Sequence, residues 1–114
     1  GNFFKNQHPS CKLVALEPAE SPVMSGGEPG LHGIQGIGDG SKFLVDLKDI
    51  DRIEIVSTEE SIEKSKSLAK QYGLFIGFSA AANFLVAERL IAEGYAENVV
   101  TILCDRGERY FSCL

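Results

Sequence analysis

The chain has 114 residues, is 44% hydrophobic and 24% charged, and carries a formal net charge of −5. These values are typical of one small globular domain or of one lobe of a larger domain. The acidic balance argues against a nucleic-acid partner, and no apolar stretch approaches the length of a bilayer span. The three cysteines lack metal-type spacing, so we expect free thiols in a reducing cytoplasm and no metal site.

Apolar runs bounded by turn residues predict four strands. The first covers residues 12–17 and leads into a long glycine-rich loop, residues 18–40. The others cover residues 52–56, 74–77 and 98–103. The chain opens without a methionine, in the middle of a pattern, and we therefore expect a fragment of a longer protein.

Two helices are expected between these strands. Ser57 and Glu60 have the spacing of a capping box, and the helix that they open should end at Gly73. Ser79 is predicted to cap a second helix, residues 80–93. Strands alternating with helices predict an α/β fold, with a mainly parallel open sheet and helices on both of its faces.

Three segments follow strand ends, which is where ligands of open α/β sheets bind. They are residues 25–40, residues 77–83 and residues 104–110. Small residues at such turns let the main chain approach a flat ligand closely. Each segment alone has a plainer interpretation, as a flexible turn, a helix cap and a solvated cluster of ion pairs.

Taken together and in this order, the segments resemble one family. The residues that carry the likeness are Val14-Ala15-Leu16-Glu17-Pro18, Ser21 to Gly27, His32 to Gly40, Gly73 to Ser79, and Leu103 to Ser112. They are similar to the corresponding blocks of cysteine synthases (O-acetylserine sulfhydrylases) and of their cystathionine β-synthase relatives.

The resemblance implies a pyridoxal-phosphate enzyme of fold type II, usually a homodimer, acting on a small amino-acid substrate. The implied reaction is β-replacement or β-elimination on L-cysteine or an O-activated L-serine, with sulfide as substrate or product. Residues 1–114 would be the C-terminal portion of the large, cofactor-binding domain. The Schiff-base lysine would precede them, so we expect the fragment alone to be inactive. The alternative is an isolated, non-catalytic binding or interaction domain.

Site residues follow from the same resemblance. Those matching the loop at the substrate cleft are Gln35, Gly36 and Gly38, and those matching the cofactor-ring region are Gly77, Ser79, Ala80, Cys104 and Asp105. The family normally has a second serine where this chain has Ala80, so the usual donor to the pyridine nitrogen is missing. Ser79, Asp105 or Cys104 could replace this donor, or the nitrogen could be left to water.

Asp39 is the second departure, because the family usually has a small residue at this position. A carboxylate at the cleft could act as a general base or acid toward sulfide chemistry and favour cysteine as the substrate. Aspartate also often stabilises turns, and the sequence gives the two interpretations equal weight.

Overall fold

The computed structural model describes residues 2–34, 37 and 46–108. The helices and strands of this part are, in chain order, α1 (Asn2–Gln7), β1 (Val14–Pro18), β2 (Arg52–Val56), α2 (Thr58–Tyr72) and α3 (Phe78–Ala92). Short 3₁₀ turns at Val23–Ser25 and Leu47–Asp49 lie between the two strands. None of these helices is long and apolar enough to cross a bilayer.

The strands β1 and β2 pair in parallel, as the sequence predicts. Val14 lies opposite Arg52, and the register continues along all five residues of each strand. Asp51 closes the start of the pair, since its amide donates to the carbonyl of Leu13 at 2.8 Å and its carboxyl accepts from the Leu13 amide at 2.7 Å. A parallel pair needs a crossover connection, and the long loop after β1 belongs to this connection.

The start and end of α2 confirm the local sequence signals. The Ser57 hydroxyl accepts from the amide of Glu60 at 3.1 Å, and the Glu60 carboxyl accepts from the amide of Ser57 at 2.9 Å. The Ser57 amide, and then the positive charge of Arg89, lower the pKa of Glu60 below its usual value. The helix ends at Gly73, which has the left-handed φ of 67° that a C-terminal glycine provides.

The helix α3 lies between the strands and α2. The cluster on its strand side consists of Ile34, Val56, Phe78, Ala82, Val86 and Leu90. The cluster between α3 and α2 consists of Leu68, Ile76, Ala80 and Ala81, with Phe84 packed against it. Because α3 is covered on both sides, it is apolar on more than one face, unlike a surface helix.

Two of the four predicted strands do not form ladders within the described part of the chain. Residues 74–77 make one antiparallel bridge, from Ile76 to Arg106, and residues 98–103 make none. The latter run is exposed, with 97% of Val100 and 70% of Ile102 accessible to solvent. A strand is defined by main-chain hydrogen bonds to a neighbouring strand, and no strand in the described part of the chain pairs with this run. Its prediction as a strand is therefore wrong for this part of the protein.

Candidate functional site

The first feature of the site is the start of α3. The helix begins at Phe78, its N-cap residue is Gly77, and no side chain caps it. Ser79 therefore lies inside the first turn, and the prediction that it caps the helix is wrong. The helix starts earlier because the Phe78 side chain is drawn into the core beside β2, where only 2% of it is exposed. Ser79 is also buried, at the same end of α3.

The residues after Ser79 are small because space is short there. Ala80 and Ala81 are fully buried and pack against Leu68 of α2. The Ala80 side chain is thus enclosed between two helices, and it offers no polar group to a ligand.

The segment after the last apolar run lies beside the start of α3. The Gly77 amide donates to the Asp105 carbonyl at 3.1 Å, and the Gly107 amide donates to the Phe75 carbonyl at 3.0 Å. A methyl group on Gly107 would meet the Phe75 ring at 2.5 Å, so the two segments approach too closely for a side chain there. Two of the sequence-predicted site residues, Gly77 and Asp105, are therefore neighbours although they are far apart in sequence.

Cys104 is held near the same helix by a residue that the sequence analysis does not assign to the site. The Asn83 amide group donates to the Ile102 carbonyl at 2.9 Å and lies 3.8 Å from the Cys104 sulfur. Asn83 is four residues after Ser79, so both lie on one face of α3. A polar residue one turn beyond a predicted site serine, in the otherwise apolar residues 78–87 of α3, is the signal that identifies Asn83.

A cleft of about 650 Å³ lies beside the start of α2. Its lining includes Glu20, His32, Gly33 and Thr58, which bring the end of the glycine-rich loop to this helix. The residues around the start of α3 do not line it. The two regions meet through the core, where Ile34 packs in the same cluster as Phe78.

The predicted substrate-cleft residues Gln35, Gly36 and Gly38, and the predicted catalytic residue Asp39, lie outside the described residues. Within residues 2–34, 37 and 46–108, no three histidine, cysteine, aspartate or glutamate side chains are grouped closely enough to hold a metal ion.

Comparison with known proteins identifies the family. A model of the family described as pyridoxal-phosphate dependent enzymes matches residues 1–105. The chain therefore belongs to this family of pyridoxal-phosphate dependent enzymes. A cysteine synthase of Staphylococcus aureus is 39% identical over 116 residues, which cover 98% of this chain and 37% of the relative. The resemblance to cysteine synthases is thereby confirmed.

Superposition on solved structures identifies the same family. Cysteine synthase from Entamoeba histolytica superposes with a TM-score of 0.91 at 31% identity, covering 97% of this chain and 34% of that one. A hydrogen sulfide-producing enzyme from Fusobacterium nucleatum gives a TM-score of 0.84 at 33% identity, covering 98% of this chain and 34% of its own. The α/β fold is confirmed, and the chain spans only about a third of the length of these relatives.

Proposed function

We propose that residues 1–114 form the C-terminal portion of the cofactor-binding large domain of a cysteine synthase-like enzyme. The reaction proposed is β-replacement or β-elimination on L-cysteine or an O-activated L-serine, with sulfide as product or substrate. Relatives named as a cysteine synthase and as a hydrogen sulfide-producing enzyme support sulfide as the substrate and as the product, respectively. The Schiff-base lysine would come from a preceding part of the protein, and the complete enzyme would be a cytoplasmic homodimer.

The observation that carries this proposal is the junction of Gly77 with Asp105 at the start of α3. Pyridoxal phosphate presents a flat ring with one nitrogen acceptor. Residues without long side chains, Gly77 and Ala80, fit the approach of such a ring. Ser79 provides a hydroxyl, which can donate or accept a hydrogen bond. The residues present therefore fit the cofactor in size and in hydrogen-bonding chemistry.

When bound, pyridoxal phosphate supplies the electron sink for reactions at the substrate carbons. In this chain, Ser79 is the first candidate to donate a hydrogen bond to the ring nitrogen, and the Cys104 thiol is the second. The Asp105 carboxylate would instead accept a hydrogen bond from a protonated ring nitrogen. A hydroxyl or thiol contact would leave that nitrogen without a full proton, a state that suits elimination more than reactions needing a strong electron sink.

On the substrate side, we propose that Gln35, Gly36 and Gly38 bind the amino acid. Asp39 would hold or move a proton at the sulfur of the leaving or entering thiol. The Fusobacterium nucleatum enzyme has also been solved as an asparagine-for-aspartate variant with an α-aminoacrylate intermediate, so an aspartate has been tested in that relative.

The test uses the protein of full family length that contains this chain. We expect bound cofactor, seen by its visible absorbance, and sulfide release from L-cysteine or cysteine formation from O-acetylserine and sulfide. Ser79→Ala should shift the cofactor absorbance and weaken cofactor binding, because it removes the nearest hydroxyl. Ser67→Ala is the control, since Ser67 lies on α2 away from the start of α3.

Two results would contradict the proposal. One is a full-length protein that binds no pyridoxal phosphate or that turns over neither substrate. The other is a Ser79→Ala variant whose absorbance and cofactor affinity equal those of Ser67→Ala, which would remove Ser79 from the cofactor site.

A further inference from the structure

Glu17, near the end of β1, is a buried acidic residue that the proposed reaction does not use. Only 2% of it is exposed. Its two carboxyl oxygens accept from the Met24 amide at 2.7 Å and from the Ser25 hydroxyl. Burying a carboxyl group is unfavourable unless its oxygens are hydrogen-bonded. Both partners lie seven and eight residues further along the chain, so Glu17 ties the first part of the loop back to β1.

A second glutamate ties the next part of the loop to α2. The Glu20 carboxyl accepts from the Thr58 amide at 2.7 Å and also from the Thr58 hydroxyl. The oxygen of that hydroxyl accepts in turn from the Gly33 amide at 2.8 Å. Thr58 is the first residue of α2, where amides lack partners within the helix. One side chain thus joins both ends of residues 20–33 to the start of a helix.

The glycines of this loop show how tightly it is packed. A methyl group on Gly30 would come 2.1 Å from the Glu20 carbonyl oxygen, and one on Gly33 would come 2.6 Å from the Thr58 methyl. Both distances are shorter than any tolerated carbon contact, so only glycine lets the main chain lie against these two anchors. The loop therefore has a defined path, although its composition resembles that of a flexible linker.

Residues 20–33 lead into the hydrophobic core at Ile34. Ile34 is fully buried and packs with Val56 and Phe78. The next residues in the chain are those proposed to bind the substrate, and Phe78 begins the helix proposed to hold the cofactor. Ile34 thus ties the end of residues 20–33 to the first residue of α3.

We propose that Glu17, and Glu20 acting through Thr58, are positioning residues for the substrate side of the site. They hold residues 20–33 against β1 and α2, and in this way fix Ile34, the residue that directly precedes the proposed substrate-binding residues in the sequence. This inference rests on the proposed function for its kinetic consequences. The ordering of the loop itself does not depend on catalysis.

The matched variants differ in whether they keep the hydrogen bonds. Glu17→Leu has similar volume and removes both acceptors. Glu17→Gln keeps an oxygen for the Met24 amide, and its NH₂ group can donate to the Ser25 hydroxyl, which can rotate to accept. Ser25→Ala removes one bond at an exposed residue and serves if Glu17→Leu does not fold.

The second pair of variants changes residues at the start of α2. Thr58→Val removes the hydroxyl that links Glu20 to Gly33 and keeps the branched shape. Ser57→Ala removes the neighbouring cap of the same helix, whose hydroxyl accepts from the Glu60 amide, whereas the Gly33 amide of the loop donates to Thr58. Both weaken the start of α2, but only Thr58→Val releases the loop. General destabilisation and loss of positioning can therefore be separated.

The measurements are made on the full-length protein. We expect Glu17→Leu, Ser25→Ala and Thr58→Val to raise the KM for the amino-acid substrate, by about tenfold or more for Glu17→Leu, because small displacements of binding groups weaken productive orientation. The amount of bound cofactor and its absorbance should stay unchanged. Glu17→Gln and Ser57→Ala should remain within about twofold of the unmodified protein. Hydrogen exchange at residues 24–34 should quicken only in the first three variants.

Three outcomes would overturn the inference: unchanged KM in the first three variants, no rescue by glutamine at position 17, or equal exchange in Thr58→Val and Ser57→Ala. An unmodified full-length protein without cofactor or turnover would instead contradict the proposed function. In that case the exchange experiment alone still decides whether the two glutamates order the loop.

Discussion

The side-chain amide of Asn83 donates a hydrogen bond to the main-chain carbonyl of Ile102 at 2.9 Å. Asn83 belongs to α3 and Ile102 to the exposed run at residues 98–103, and this bond holds the run at the point where it reaches Cys104. The Cys104 sulfur lies 3.7 Å from the same carbonyl. One asparagine therefore helps to set the position of a proposed cofactor-site residue.

Asn83→Ala should release this segment and lower the free energy of unfolding by about 1 kcal/mol, the usual worth of one such hydrogen bond. Hydrogen exchange should quicken at residues 103–107. Asn98→Ala changes an exposed asparagine at the start of the same run and is the control. Equal exchange in the two variants would show that the bond does not hold the segment.

Gly107→Ala should disturb the junction with Phe75, because the added methyl would lie 2.5 Å from the ring. Such overpacking typically costs about 1–3 kcal/mol. Gly94→Ala is the comparison, because Gly94 has a left-handed φ of 78° but no atom within 4 Å of the added methyl. Exchange at the Gly77 amide should quicken in the first variant beyond what its loss of stability explains, and not in the second.

Leu68→Ala should lower the free energy of unfolding by about 2–5 kcal/mol, since Leu68 is fully buried between α2 and α3 and truncation leaves a cavity. Leu31→Ala removes the same atoms from a residue that is 99% exposed, and we expect a change within about 0.5 kcal/mol. Urea unfolding measures both. Similar values for the two leucines would contradict the packing of α2 on α3.

Glu60→Gln should make stability less sensitive to acid. The folded-state pKa of Glu60 is lowered, so its contribution is present above the usual value of 4.5 and is lost as the pH falls through the lower, folded-state pKa. The unmodified protein should therefore lose more stability than the variant between about pH 5 and about pH 3. Urea unfolding across this range gives the slopes. Glu59→Gln, in the same helical turn, is the control, and a slope equal to that of Glu60→Gln would assign the effect to the helix end generally.

Asp39→Asn tests the proposed proton transfer in the full-length protein. Asparagine keeps the shape and can make the same turn bond but cannot accept a proton, so sulfide release from cysteine should slow by about a hundredfold or more. Cofactor content should be unchanged. Unaltered turnover would make Asp39 a turn residue and would remove the expected preference for cysteine.

Features with local causes could be predicted from the sequence. The capping box at Ser57 and the end of α2 at Gly73 each follow from residues close together in the chain. The parallel pairing of β1 with β2 joins distant residues and follows instead from the alternation of strands and helices along the chain. The N-cap of α3 could not be predicted, because it depends on the Phe78 side chain entering a core built by distant residues. The same is true of the run at residues 98–103, whose apolar pattern cannot show whether a neighbouring strand is present.

The same distinction between local and long-range causes applies to the candidate site. The family resemblance identified the segments around Gly77 and Asp105, and the structure brings these two residues together. Glu17 and Asn83 were not recognised as positioning residues, because a lone glutamate or asparagine carries no pattern. Their positioning roles depend on which main-chain groups lie close to them, and the tertiary structure determines this.

The exposed run at residues 98–103 has a practical consequence for handling this polypeptide. It contains consecutive β-branched and apolar residues, with no proline and no charge, and Val100 is almost entirely accessible to water. Such a segment is a template for intermolecular strand addition. Concentrated solutions of the 114-residue polypeptide should therefore precipitate as ordered aggregates, and a single lysine at position 100 should delay their growth without altering the core.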